Sequence, residues 1–104
     1  MKIDEKTIHS EEEILTALQE EFDQTVEFVV MENGKDFIQT SGGALEYREG
    51  DKHYFVADNP VEQEKIKAAF LSYYRGDGEY LRDFEWEEII YENLWTQIKK
   101  LFSK

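Results

Sequence analysis

The sequence predicts an α+β domain: a four-stranded antiparallel sheet with helices packed on one face, in the order α-β-β-β-β-α-α. Three observations predict it. Apolar residues recur at helical spacing near residue 14 and again near residue 66. Between them the apolar period falls to two, as a half-buried strand requires. Glycine-containing turn signals then cut that stretch into four short pieces. The chain has 104 residues, about one domain, and the whole of residues 1–104 is read as a single unit.

Ser10-Glu11-Glu12-Glu13 opens the first helix. Serine with glutamate three residues later is a capping box, and the three carboxylates suit the positive end of the helix dipole. Ile14, Leu15, Leu18 and Phe22 then define one face, so a helix is expected over 11–23. Val26, Phe28 and Val30 begin the period of two, and Asn33-Gly34 is a hairpin dipeptide of the kind that type I′ turns need. The return strand runs from Lys35 to Thr40 and is broken by Ser41-Gly42-Gly43. Ala44 to Arg48 forms the third strand, with Leu45 and Tyr47 on one face. Glu49-Gly50-Asp51 turns the chain into a fourth, from Lys52 to Ala57. Connections this short imply a meander.

Asn59-Pro60-Val61-Glu62 reads as a second helix start, with asparagine as the cap and proline at the first helical position. Ile66, Ala69, Phe70 and Tyr73 form its inner stripe, and Gly76 ends it. After a polar bend at Asp77-Gly78-Glu79, a third helix is expected from about Trp86 to Phe102, with Ile90, Leu94, Ile98, Leu101 and Phe102 on one face.

Composition excludes several function classes. There is no cysteine, so no disulfide framework and no thiolate chemistry. No uninterrupted apolar stretch exceeds the four residues of Phe28 to Met31, far from the roughly 20 residues of a membrane span. Met1 to Lys6 lacks the apolar run of a signal peptide, so a cytoplasmic location is expected. His9 and His53 stand alone, without ligands at metal spacing, so no metal and no cofactor is expected. Asp77-Gly78-Glu79 lacks the alternating oxygen ligands of a calcium loop, and the glycine pairs are too short to cradle phosphate. No serine has a triad in view, and among 24 acidic residues a pair of carboxylates carries little information. A binding protein is expected rather than an enzyme.

The net charge is −12. Residues 1–52 hold 5 basic and 14 acidic residues; residues 53–104 hold 7 and 10. A field of that sign repels nucleic acid and anionic lipid and attracts basic surfaces, although solubility alone accounts for much of it. The segment from Tyr73 to Glu88 interleaves five aromatics with charges. Aromatics dominate interface hot spots, and acids around them steer a basic partner. The candidate partner-binding residues are therefore Tyr74, Asp77, Glu79, Tyr80, Asp83, Glu85, Glu87 and Glu88, with Tyr74 and Tyr80 expected to be exposed. The plainer role for Phe84 and Trp86 is to seal the core where helices meet the sheet.

Gly42-Gly43-Ala44-Leu45-Glu46-Tyr47, then Ala68-Ala69-Phe70-Leu71-Ser72-Tyr73, then Gly76-Asp77 and Phe84-Glu85-Trp86-Glu87, together resemble small acidic immunity proteins of bacterial polymorphic toxin systems. The resemblance covers residues 42–87. It implies a cytoplasmic inhibitor that occludes the active site of one cognate basic toxin, a nuclease or deaminase, and performs no chemistry itself. Other readings are an acidic adaptor or DNA-mimicking inhibitor, a small carboxylate enzyme, and a homodimer that uses Tyr91 and Trp95.

Overall fold

A computed structural model describes residues 1–89. Its elements in chain order are β1 (Lys2–Ile3), β2 (Lys6–Thr7), α1 (Glu11–Phe22), β3 (Val29–Asn33), β4 (Asp36–Ser41), β5 (Ala44–Glu49), β6 (Lys52–Val56), α2 (Gln63–Arg75), α3 (Glu79–Asp83) and β7 (Trp86–Glu88). The class is α+β, and the sheet is antiparallel throughout. Among the described residues it has seven strands rather than four, in the order β2-β1-β3-β4-β5-β6-β7.

The four central strands lie where the period of two places them. Alternation sends Val29, Met31, Ile38, Thr40, Leu45, Tyr47 and Val56 to one face, where all are buried. On that face they meet Ile14 and Leu18 of α1 and Ile66, Ala69, Phe70 and Tyr73 of α2. The opposite face carries Val30, Phe37, Gln39, Glu46, His53 and Phe55, all half-buried. Glu11 accepts two 2.7 Å hydrogen bonds from the Arg75 guanidinium, which sets the start of α1 beside the end of α2, so the helices run antiparallel. Glu21 is buried on the inner side of α1 and accepts a 2.8 Å bond from the Gly42 amide, which ties the far end of that helix to the β4–β5 turn.

Six local expectations are corrected, the last of them at Ser10. The first hairpin turns at Gly34-Lys35, because Asn33 pairs with Asp36; only Gly34 has positive φ, the pattern of a type II′ rather than a type I′ turn. Two additional strands, β1 and β2, precede α1, joined by Asp4-Glu5 with both residues in the left-handed region. Asn59 does not cap α2. Val61 is buried and donates to the Gly43 carbonyl at 2.8 Å, which holds residues 59–61 against the β4–β5 turn. The helix therefore begins one turn later, with Glu62 as its N-cap. The bend at residues 77–79 leads into a short helix, α3. Trp86 starts no helix but a seventh strand, paired with β6 through Val56↔Trp86, Phe55↔Glu87 and Tyr54↔Glu88.

Ser10 occupies the N-cap of α1, but its side chain makes no capping bond; Glu13 instead accepts from the His9 amide at 3.2 Å. Gly76 closes α2 in the left-handed conformation, with its amide donating to the Ser72 carbonyl at 2.9 Å. The predicted helical stripe from Ile90 to Phe102 lies outside the described residues. Among the described residues, no helix is long and apolar enough to cross a membrane.

The contact between Gly43 and residues 60–61 generates a prediction. A Cβ at Gly43 would sit 2.5 Å from Pro60 Cβ, at a φ of +88°; a Cβ at Gly42 would meet nothing within 4 Å. Gly43→Ala is expected to destabilise by about 2–4 kcal/mol and Gly42→Ala by about 1 kcal/mol, measured by urea denaturation. Equal effects at the two positions would contradict the packing of this turn.

Candidate acidic cleft

The alternation Phe84-Glu85-Trp86-Glu87 separates apolar from acidic side chains. Trp86 packs edge-on against Tyr47, with ring centroids 4.6 Å apart, and lies 5.5 Å from Phe84. Its indole N–H donates to the Tyr80 carbonyl at 2.9 Å. The acids between these anchors are left on the solvent side. Main-chain pairing continues past β7, where the Ile89 amide donates to the His53 carbonyl at 2.8 Å.

Beside β7 lies a cleft of about 290 Å³ between the loop that follows β6 and the segment joining α3 to β7. Val56, Pro60, Val61 and Phe84 supply its apolar lining, and Asp58, Glu62, Asp83, Glu85 and Glu87 surround it with five carboxylates. Among the described residues, Lys65 is the one cation in the lining. Three of the eight sequence candidates, Asp83, Glu85 and Glu87, thus converge here. Asp58 and Glu62 were missed, because they lie more than twenty residues earlier and only the Val61–Gly43 contact and the β6–β7 pairing bring them close.

The other candidates are placed differently. Tyr74 and Tyr80 are half-buried and pack against the core rather than standing exposed. Tyr80 is surrounded by rings: its centroid is 5.5 Å from both Tyr47 and Tyr73. Asp77 has an architectural position. It accepts from Ser72 Oγ and from the Glu79 amide at 2.9 Å, while Ser72 Oγ accepts from the Tyr80 amide at 3.0 Å. The Ser72 hydroxyl holds the Asp77 carboxyl below its usual range. Glu79 is exposed on the first turn of α3, and Glu88 is exposed on β7 outside the cleft. Phe84 and Trp86 are half-buried against the core, in the sealing role expected of them. Tyr91 and Trp95 lie outside the described residues.

His53 is a sheet residue, edge-on to Phe37 at 5.5 Å and 3.5 Å from a Glu46 oxygen. His9 is exposed before α1. Among the described residues no group of three or more histidines and carboxylates is arranged to hold a metal ion. What the cleft offers chemically is a concave negative surface over an apolar floor.

The aromatic cluster behind the cleft predicts an alkaline limit to stability. Burial pushes the phenols of Tyr47 and Tyr73 up to about 12, and burial also raises that of Tyr80. Because the folded state favours the neutral phenols, their contribution is complete below about pH 10, the ordinary tyrosine value, and is lost as pH rises through about 12. In a spectrophotometric titration followed alongside circular dichroism, these tyrosines should ionise late and together with unfolding. Ionisation of all six tyrosines near pH 10 with the fold intact would contradict the burial. No family model matches the chain, and no curated protein or solved structure matches it either.

Proposed function

We propose that this protein is a binding protein that captures and neutralises a basic protein partner, as an immunity protein neutralises its cognate toxin. The observation that carries this reading is the cleft, where five carboxylates and one lysine surround an apolar floor. A net charge of −12 extends the attraction well beyond the cleft. The partner is a basic enzyme, a nuclease or deaminase toxin, and the mode of action is occlusion of its active site. Asp83, Glu85 and Glu87 steer the encounter, joined by Asp58 and Glu62. Phe84 and Pro60 supply the apolar contact at the centre. The protein performs no reaction and acts in the cytoplasm.

Steering charges act mainly on association, and the effect is screened by salt. The test uses the purified basic protein encoded beside this gene, with rates measured between about 0.01 M and about 0.1 M salt, where the screening length falls from about 30 to about 10 Å. Association should slow steeply over that range. The pair Asp83→Lys and Glu87→Lys should slow it at least tenfold at low salt while leaving the melting temperature nearly unchanged, because both side chains are exposed. A pair that does not associate at low salt overturns the reading, as does a double variant that associates at the wild-type rate.

A further inference from the structure

At the other end of the sheet, the edge of β3 is only partly covered. β1 pairs with it through Lys2↔Glu32 and Ile3↔Met31 and then turns away at Asp4-Glu5. Among the described residues no strand lies opposite Val29 and Val30 on that side. The phase of the ladder follows from the hairpin. Asn33 and Asp36 flank a two-residue turn, so they form a hydrogen-bonded pair. Alternation then directs the main chain of Met31 and Val29 toward β4, and that of Glu32 and Val30 toward the β1 side. The N–H and C=O of Val30 therefore face the space that β1 vacates.

That space is a groove of about 470 Å³. Its apolar lining is Ile3, Ala17, Val26, Phe28, Val29 and Val30. Phe28 is 61% exposed and Val26 36%, whereas most large apolar side chains here are covered. Among the described residues its remaining lining is acidic throughout, with Asp4, Glu5, Glu20, Glu27 and Glu32 and no lysine or arginine. An open strand edge is a template for pairing, and native proteins blunt one with charged side chains, lysine above all, or with proline. Among the described residues the groove has neither lysine nor proline, and its charge is of the one sign that admits a cationic strand.

We infer that this groove is a docking site for an extended, cationic segment of another protein, which adds as a strand to the free edge of β3 in line with β1. Main-chain bonds to Val30 fix its register, as in other strand-addition complexes. Its side chains alternate between the helix-facing side, beside Ala17 and Glu20, and the opposite side, beside Phe28 and Glu32. The complementary sequence is therefore one in which lysine or arginine alternates with branched apolar residues. The groove is separate from the cleft beside β7, so this inference stands or falls independently of the proposed function.

The probe is a capped peptide of about seven residues with alternating lysine and valine, titrated into the full-length protein while backbone amides are followed by NMR. Amide shifts should concentrate at residues 28–32, and the Val30 amide should gain protection from exchange. The same peptide with N-methylated backbone positions should bind at least tenfold more weakly. Glu20→Lys with Glu27→Lys should reduce affinity by a similar factor without altering the fold, and Phe28→Ser, a change at an exposed site, should also weaken binding. Shifts spread equally over the cleft at Asp83 and Glu87 would overturn the inference. So would equal binding by the methylated peptide, or a Val30 amide that shifts with protein concentration alone, which would place a second copy of the chain on the edge.

Discussion

The tie between Trp86 and Tyr80 is the interaction on which the cleft end of this molecule depends. One indole hydrogen bond to the Tyr80 carbonyl, with ring contacts to Tyr47 and Phe84, converts a segment of helical expectation into a strand. The energetic logic is burial: an indole covers a large apolar area and still needs a partner for its N–H. Edge-on packing against Tyr47 satisfies the first demand, and the carbonyl at the start of α3 satisfies the second. Once Trp86 is fixed, β7 must pair with β6, and Glu85 and Glu87 are left facing solvent beside the loop that leaves β6. The acidic cleft is thus a consequence of aromatic packing, not of the charges themselves.

A second set of constraints shapes the other wall. The turn between β4 and β5 holds the start of the α2 region through the Gly43 carbonyl and holds α1 through the Gly42 amide. Thr40, buried beneath, donates from its hydroxyl to the Ala44 carbonyl at 2.7 Å and stiffens the same turn. Both helices and the cleft loop are thereby referenced to one hairpin in the middle of the sheet. The cleft carboxylates can repel one another on such a frame without collapsing it, since the frame is held by main-chain bonds, apolar burial and the ties of Glu21 to the Gly42 amide and Glu11 to Arg75, none of which uses a cleft carboxylate. The concentration of like charge brings a modest cost in self-repulsion, which this frame tolerates.

Much of this architecture was legible in the sequence. The helical stripes of α1 and α2 and the four central strands follow from apolar spacing and turn residues, because each buries a continuous face. The remaining elements were hidden for physical reasons. β1 and β2 are too short to show a period, and their turn uses Asp4-Glu5 where glycine or asparagine would have announced it. The start of α2 is set by a bond from Val61 to Gly43, a long-range contact that overrides the local proline and asparagine signal. β7 was legible in part: Phe84-Glu85-Trp86-Glu87 alternates with a period of two, but the apolar spacing that follows favours a helix. At the site, the sequence picked out the acids on β7 and before it but not their partners Asp58 and Glu62, which only the tertiary pairing brings near. The sequence presents Tyr80 as an exposed anchor, yet the packing of its ring against Tyr47 and Tyr73 leaves it half-buried.

The central claim, that one aromatic anchor holds β7 and so builds the cleft, is tested most directly by amide hydrogen exchange in Trp86→Phe. Phenylalanine keeps most of the apolar area but lacks the N–H that Tyr80 accepts. The Ile89 amide, bonded to His53 at 2.8 Å in the native ladder, should lose its protection in the variant, while the amides of Ile38 and Tyr47 in the central strands keep theirs. Unchanged protection at Ile89 would contradict the claim, as would a loss spread evenly across the whole sheet.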